Sequence, residues 1–336
     1  MWKIEGENDM SNVEKFITAW MNDYNKGIEK FGAPQISLNI EDFEVENEEI
    51  YKKYLSQEFP DTNRQVKIYL GILGRKMRFS YMHAMQQRDW ALLNNVIYQN
   101  TRFNLIYGAT LASGTDHSNA LWDLLAAFTC NNFDELSIFF PKNFPSGKGK
   151  FYTEICRNFM EIMIYHQDER FIETKVLADK FLAKKKTTWE KESILYLLAL
   201  LERDATACSE HLEALCKAYQ RLSEVSAPFK SFPLQVHGWY RFAYYVDPSF
   251  FIQIKQPKHW SFFSDFERWH KESSYPKGQL FYQYPEKMDL MNRILQAELP
   301  AIQLYENGNG RHTDFVKDTD RFLSELTLGI MNSSQP

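Results

Sequence analysis

The sequence predicts an all-α protein of antiparallel helical hairpins, stacked as a TPR-like or solenoid-like bundle, with a loop-rich aromatic C-terminal part. Three observations predict it. Apolar residues recur at helical spacing between residues 115 and 246. The links between periodic segments are short, as in "RDA" and "KKKTT", and short links make successive helices antiparallel neighbours. With 14 Gly and 12 Pro in 336 residues, the chain has little material for the tight turns of an all-β fold. Each hairpin is about 30–40 residues long, near tetratricopeptide length, although no internal repeat matches that consensus.

The N-terminal region predicts helices near 11–31, 47–57 and 62–108, the last broken into two around Asp89. Between the first two, "GAPQISLNIEDFEVEN" predicts a loop with the densest acid run, Glu41, Asp42, Glu44, Glu46, Glu48 and Glu49. This gives two regions: 1–110, helical with an acidic loop, and 111–336, a helical-hairpin domain, with one continuous domain as the alternative.

"HSNALWDLLAAFTC" and "FYTEICRNFMEIMIYHQ" are apolar-periodic. Between them "NNFDELSIFFP" opens on an Asn132…Glu135 cap signal and stops at Pro141. "ERFIETKVLADKFLAKK" follows, with Phe171, Val176 and Phe181 among its apolar positions. Thr187-Thr188-Trp189-Glu190 fits a capping box ahead of Ile194, Leu197, Leu198 and Leu201. Asp204 is the cap candidate for a stripe of Cys208, Leu212, Leu215, Tyr219 and Leu222. Past Pro248 the chain turns rich in aromatics and Pro, which predicts short helices and ordered loops, because disordered segments are poor in aromatics. Pro285 is placed to start a helix over "PEKMDLMNRIL". "ENGNGRH", 306–312, predicts a flexible loop before a final amphipathic helix.

Charge and motifs exclude more than they identify. Residues 1–60 hold 13 acidic and 6 basic side chains, net -7, and the remainder 31 and 33, net +2. That balance argues against a general nucleic-acid binder, which needs a basic face for phosphates. No stretch reaches ~18 uninterrupted apolar residues, so no membrane-spanning helix is expected, and the N-terminus lacks the apolar core of a secretory signal. Cys130, Cys156, Cys208 and Cys216 form no CxxC; Cys208 and Cys216 stand eight apart on one predicted helix, ~12 Å, too far to bridge. Free buried thiols and a cytoplasmic protein are expected.

No GxSxG, Walker A, GxGxxG or HExxH motif occurs, and "PSGKGK", 145–150, reads as a basic loop. None of the eight histidines has a zinc-like spacing to His, Cys or a carboxylate, so no metal and no cofactor are expected. Glu210-His211 lies beside its helix's apolar line, as a solvated pair. The run "LQVHGWYRFAYYVDP", 234–248, is the one place that looks like chemistry. On a helical wheel Val236, Trp239, Tyr240 and Ala243 form one stripe, with Gly238, Phe242 and Tyr245 largely behind it. A helix apolar nearly all round is buried on both sides. Gly238 is then a close-approach point for a neighbouring helix. His237 becomes a buried imidazole needing a hydrogen-bond partner, with Arg241 along the same edge. His237, Gly238, Trp239 and Arg241 are assigned structural roles, and no catalytic residue is assigned.

Four segments, "LLAAFTCNNFDELSIFFP", "FYTEICRNFMEIMIYHQDE", "FLAKKKTTWEKESILYLLALLERDATACSEHLEALCKAYQR" and "PLQVHGWYRFAYY", resemble bacterial immunity proteins of polymorphic-toxin systems, in particular the immunity protein 49 family. The resemblance covers about residues 115–300, including the "YPKGQLFYQYPEKMDLMNRIL" tail. It implies an all-helical protein that binds and neutralises a cognate toxin, encoded by the adjacent gene, and it supplies no residue roles. The acid run is the candidate toxin-binding surface, since it would complement a basic toxin and speed encounter. Two alternatives stand beside it: a helical-repeat adaptor holding a peptide or protein, and a helical hydrolase using His237 or His211 as base.

Overall fold

Local capping chemistry sets most helix starts. In the computed structural model, which describes residues 11–33, 37–111, 117–306 and 315–332, Ser11 and Glu14 cap α1 (Asn12–Phe31) reciprocally. Asn39 caps α2 (Ile40–Ile50), accepting the Asp42 N–H at 2.8 Å, and α2 runs on into a π-helical turn, Tyr51–Leu55. Asp61 caps α3 (Thr62–Ile72). After a 3-10 turn over Gly74–Arg78, α4 (Phe79–Gln87) and α5 (Trp90–Thr110) meet at Asp89, which accepts the Leu92 N–H.

Then come α6 (Ala120–Phe128), α7 (Asp134–Phe139), α8 (Tyr152–Tyr165), α9 (Phe171–Leu182), α10 (Thr188–Leu201), α11 (Ala205–Tyr219), α12 (Ala227–Ser231) and α13 (Leu234–Val246). The aromatic C-terminal part holds α14 (Pro248–Phe251), α15 (Ser264–Glu272) and α16 (Asp289–Gln296). A small antiparallel pair follows, β1 (Leu304–Glu306) on β2 (Phe315–Lys317), and then α17 (Thr319–Asn332). Among the described residues the protein is all-α apart from that pair.

Packing joins distant parts of the chain. α10 and α11 form the most extensive pair, and α8 packs on α9 and α10. α6 lies between α5 and α13, α1 rests on α12 and α4, and α17 crosses α3 and α5. The main apolar cluster runs from Phe43 through Phe128, Leu197 and Trp239 to Ile330. A second cluster gathers Phe16, Trp20 and Met85 with Phe232 and Phe266. Both contain residues from before and after residue 110.

Several expectations change. The acid run is not a loop: it lies in α2, because Asn39 supplies the cap and Phe43 and Asn47, one turn apart, are buried. The helix expected over 47–57 is the end of α2 and its π-helical turn. A second break, besides that at Asp89, falls after Ile72, where the Phe103 ring lies so close to Gly74 that a Cβ would sit 1.7 Å from it. Asn132 does not cap α7; its amide reaches the Glu135 carboxylate at 3.4 Å. Val176 is exposed rather than packed, and Leu222 lies beyond the end of α11. Pro285 precedes a 3-10 turn, Glu286–Met288, rather than opening α16 directly. The strand pair was not anticipated. Residues 307–312 of the expected flexible loop, His312 with them, lie outside the described residues.

Candidate functional site

His237 sits at the centre of α13 with no exposed surface, because the helix is covered on every side along residues 234–243. Its ring stacks on Phe262, centroids 4.1 Å apart. Nδ1 lies 2.6 Å from Glu267 Oε1 in α15, and the Phe263 backbone N–H donates to Nε2 at 3.3 Å. A backbone N–H can only donate, so Nε2 accepts and Nδ1 carries the proton. That fixes a neutral imidazole whose lone pair is already occupied. A general base needs that lone pair free and within reach of a substrate proton. His237 has neither.

Arg241, one turn on and equally buried, donates Nε and Nη2 to Asn131 Oδ1 at 2.9 and 2.5 Å. Its guanidinium lies over the Tyr275 and Tyr244 rings, and Nη1 stands 4.0 Å from Glu267 Oε2. Burial would raise the Glu267 carboxyl, but the hydrogen bond from His237 and the charge of Arg241 outweigh it and hold it below its usual value. Asn131 is the pivot. It follows α6 in the left-handed conformation, φ 58°, which Asn tolerates better than most residues. Its amide donates to the Pro276 carbonyl at 2.9 Å and to His270 Nδ1 at 3.1 Å. Burial holds His270 neutral, down to about 3, and a proton on Nδ1 would face the Asn131 N–H. The cluster is a buried polar knot between α6, α13 and α15, in which Arg241 Nη1, Glu267 Oε2 and His270 Nε2 make no hydrogen bond.

Trp239 is fully buried, with its carbonyl accepting the Tyr196 hydroxyl at 2.8 Å. Gly238 lies against the Leu125 carbonyl of α6. His211 is half-buried and pairs with Glu192 of α10 at 2.7 Å, not with Glu210. All four cysteines are free and buried, and burial pushes the thiols of Cys130 and Cys208 up to about 12, which removes the thiolate needed for reaction.

The acid run presents one face of α2 to solvent. Glu41, Asp42, Glu44 and Glu49 are exposed around Val45, which is 62% exposed. Glu46 bonds Ser37 at 3.1 Å, and Glu48 pairs with Lys52 at 3.4 Å and with Lys287. Glu44, though exposed, also accepts the Tyr282 hydroxyl at 3.5 Å, so three of the six carboxylates, Glu41, Asp42 and Glu49, are open to a partner and three serve the fold.

A larger feature has no counterpart in the sequence motifs. A cleft of about 670 Å³ lies between α4, α5, α6, α11 and α12. Trp122 and Tyr219 stack in its wall, planes 1° apart, and Phe229 meets Tyr81 edge-on at 5.0 Å. Asp123 is the one charge in α6. It lines both this cleft and a neighbouring cavity of about 130 Å³, where Lys317 lies. The signal for it was a single carboxylate inside the apolar run "LWDLLAAF". The residues that complete the cleft lie up to about a hundred positions away, so no local pattern joins them.

Burial raises the Asp123 carboxyl from 3.8 to about 6, with Lys317 opposing. A folded-state value above the unfolded one means the native chain holds the proton more tightly, so stability falls as pH rises from about 4 to 6 and stays lower above it. Asp123→Asn removes that loss. The variant is expected to be about 1–2 kcal/mol more stable than the parent at pH 7.5 and equal to it at pH 4, read from urea midpoints. An equal difference at both pH values would refute the burial argument.

Among the described residues no group of three or more His, Cys, Asp and Glu could hold a metal ion, and no helix is long and apolar enough to cross a membrane. No protein-family model, curated protein or solved structure matches the chain.

Proposed function

We propose that this chain is an immunity protein of the bacterial polymorphic-toxin type, which binds a cognate toxin stoichiometrically in the cytoplasm and neutralises it. The observation that carries the reading is the outward face of α2, where Glu41, Asp42, Glu44 and Glu49 surround the exposed Val45. A central apolar side chain with a charged rim suits an interface that is steered by charge and closed by desolvation. In this reading the α8–α9 and α10–α11 hairpins are a short TPR-like stack, and α2 stands on the opposite part of the chain as a recognition element. The reading also takes the protein to be a binder rather than an enzyme, which agrees with both ring nitrogens of His237 being engaged internally.

The test begins with co-expression beside the product of the adjacent gene. Restored growth with co-purification supports the reading, and neither outcome appearing rejects it. With the complex in hand, Glu41→Gln, Asp42→Asn, Glu44→Gln and Glu49→Gln are combined. Association at low salt is expected to slow by about tenfold or more, with a smaller change in dissociation. Unchanged association kinetics would remove α2 from the interface while leaving the toxin reading standing on the co-expression result.

A further inference from the structure

We propose that the cleft between α5, α6 and α11 is a binding site for a small organic cation, an ammonium group carried on an aromatic or alkyl body. Its volume, about 670 Å³, falls within the range of small-molecule sites. Two features select the sign of the ligand's charge.

The first is which polar groups are already engaged. Gln235, Tyr219, Thr101 and Asn100 spend their donors within the protein, whereas the Trp122 indole N–H, the Asn104 amide and the Tyr81 hydroxyl have no partner among the described residues. Gln235 Nε2 donates to the Trp122 carbonyl at 3.3 Å, and the Tyr219 hydroxyl donates to Gln235 Oε1 at 2.6 Å. Thr101 Oγ1 donates to the Ile97 carbonyl at 2.7 Å, and Asn100 Nδ2 to Val96 and Ser80 at 2.9 and 3.1 Å. Acceptors remain. The Asp123 carboxylate has no hydrogen bond or ion pair with any described residue, and neither the Asn100 Oδ1 nor the Tyr81 hydroxyl has a partner among them. Lys317 acts on Asp123 only through its charge across the adjoining cavity and forms no ion pair with it; its Nζ donates to the Gly108 carbonyl. A ligand that donates hydrogen bonds and carries positive charge supplies what this wall lacks.

The second feature is aromatic. The faces and edges of Trp122, Tyr219, Tyr81 and Phe229 border the same space, and aromatic faces attract cations through the ring quadrupole. Phe229 already takes one from the protein, with Arg78 5.9 Å from its centroid at the exposed rim. Arg78 and Glu224 stand at the mouth with opposite charge and leave the interior sign to Asp123.

The experiment titrates the full chain by calorimetry with three probes of one shape: 3-phenylpropylammonium, 3-phenylpropan-1-ol and 3-phenylpropionate. The ammonium is expected to bind at least about tenfold tighter than the alcohol, and the propionate more weakly than either. The indole N–H resonance of Trp122, assigned with Trp122→Phe, is expected to shift on titration. Asp123→Asn is expected to erase the difference between ammonium and alcohol while leaving the alcohol's affinity within about twofold. Should that variant fail to fold, the three-probe comparison on the parent chain decides alone. The proposal is overturned if no probe binds at millimolar concentration, if the alcohol or propionate matches the ammonium, if the Trp122 resonance stays still, or if folded Asp123→Asn keeps the preference.

Discussion

A methyl group added at Gly238 is expected to cost this protein about 3 kcal/mol or more. An ideal Cβ there lies 1.9 Å from the Leu125 carbonyl oxygen and 2.6 and 2.9 Å from that residue's carbonyl carbon and Cα. These are backbone atoms of α6, so no rotamer change relieves the overlap and the two helices must separate. Overpacking a core costs typically about 1–3 kcal/mol. Separation here also strains the Thr129 hydroxyl bond to the Leu234 carbonyl, 2.6 Å, and the Arg241–Asn131 bonds that tie α13 to the end of α6. The better helix propensity of Ala returns only about 1 kcal/mol, so the sign is set by the clash. Gly71→Ala in α3 and Gly108→Ala in α5 are the controls. Nothing lies within 4 Å of a Cβ at either position, and both are expected to be neutral or stabilising by up to about 1 kcal/mol. Urea midpoints compare the three. A Gly238→Ala variant as stable as its parent would mean that α6 and α13 do not approach this closely.

What the sequence made legible is what acts over three or four residues. Thr187 with Glu190, and Asp204, each cap a helix at the position read from the chain, because a cap joins a side chain to a backbone N–H two or three residues on, and the break read at Asp89 is where that residue caps α5. The stripe of Cys208, Leu212, Leu215 and Tyr219 is buried along its length, since period and burial are two sides of one geometry. α2 was misread for a physical reason. Six carboxylates in nine residues look like a solvated loop, yet the inward side is set by Ile40, Phe43, Asn47 and Ile50, and Asn47 hides the apolar period. The strand pair consists of two three-residue segments whose pairing depends on each other rather than on either sequence.

The same limit applies to the sites. A wheel places His237 at the edge of an apolar stripe but cannot name Glu267, thirty residues on, as its partner. Nor can it bring Trp122 against Tyr219, or leave Asp123 facing a cleft. Those contacts arise only when α6, α11 and α13 pack. The sequence therefore shows where chemistry is improbable better than where a ligand can sit.

The second large effect is expected at the knot around Glu267. Glu267→Gln keeps an oxygen for His237 Nδ1–H but removes the negative charge nearest Arg241, which is fully buried. Stranding one charge of a buried pair costs about 3–5 kcal/mol, and Arg241→Met is expected to cost a similar amount by stranding Glu267. The double variant, with neither charge left, is expected to lose clearly less than the sum of the two, and additivity would show that the pair does not interact across its 4.0 Å gap. The acid side of the stability curve separates the knot's members. His270 is held neutral by burial, from 6.5 down to about 3, so the unfolded chain binds a proton that the native one refuses, and stability falls as pH drops below about 6.5. Glu267 is held below 4.5, so its contribution is present above that value and is lost only as pH falls further. With Asp123→Asn as background, which removes that carboxyl's opposite slope, urea midpoints between pH 7.5 and 5 are therefore expected to fall with and without Glu267→Gln. Below about pH 4.5 the parent is expected to lose stability more steeply than the variant, because only the parent has this carboxylate left to protonate. A curve flat from pH 7.5 to 5 in the Asp123→Asn background would mean that His270 is not locked in its neutral form beside Asn131.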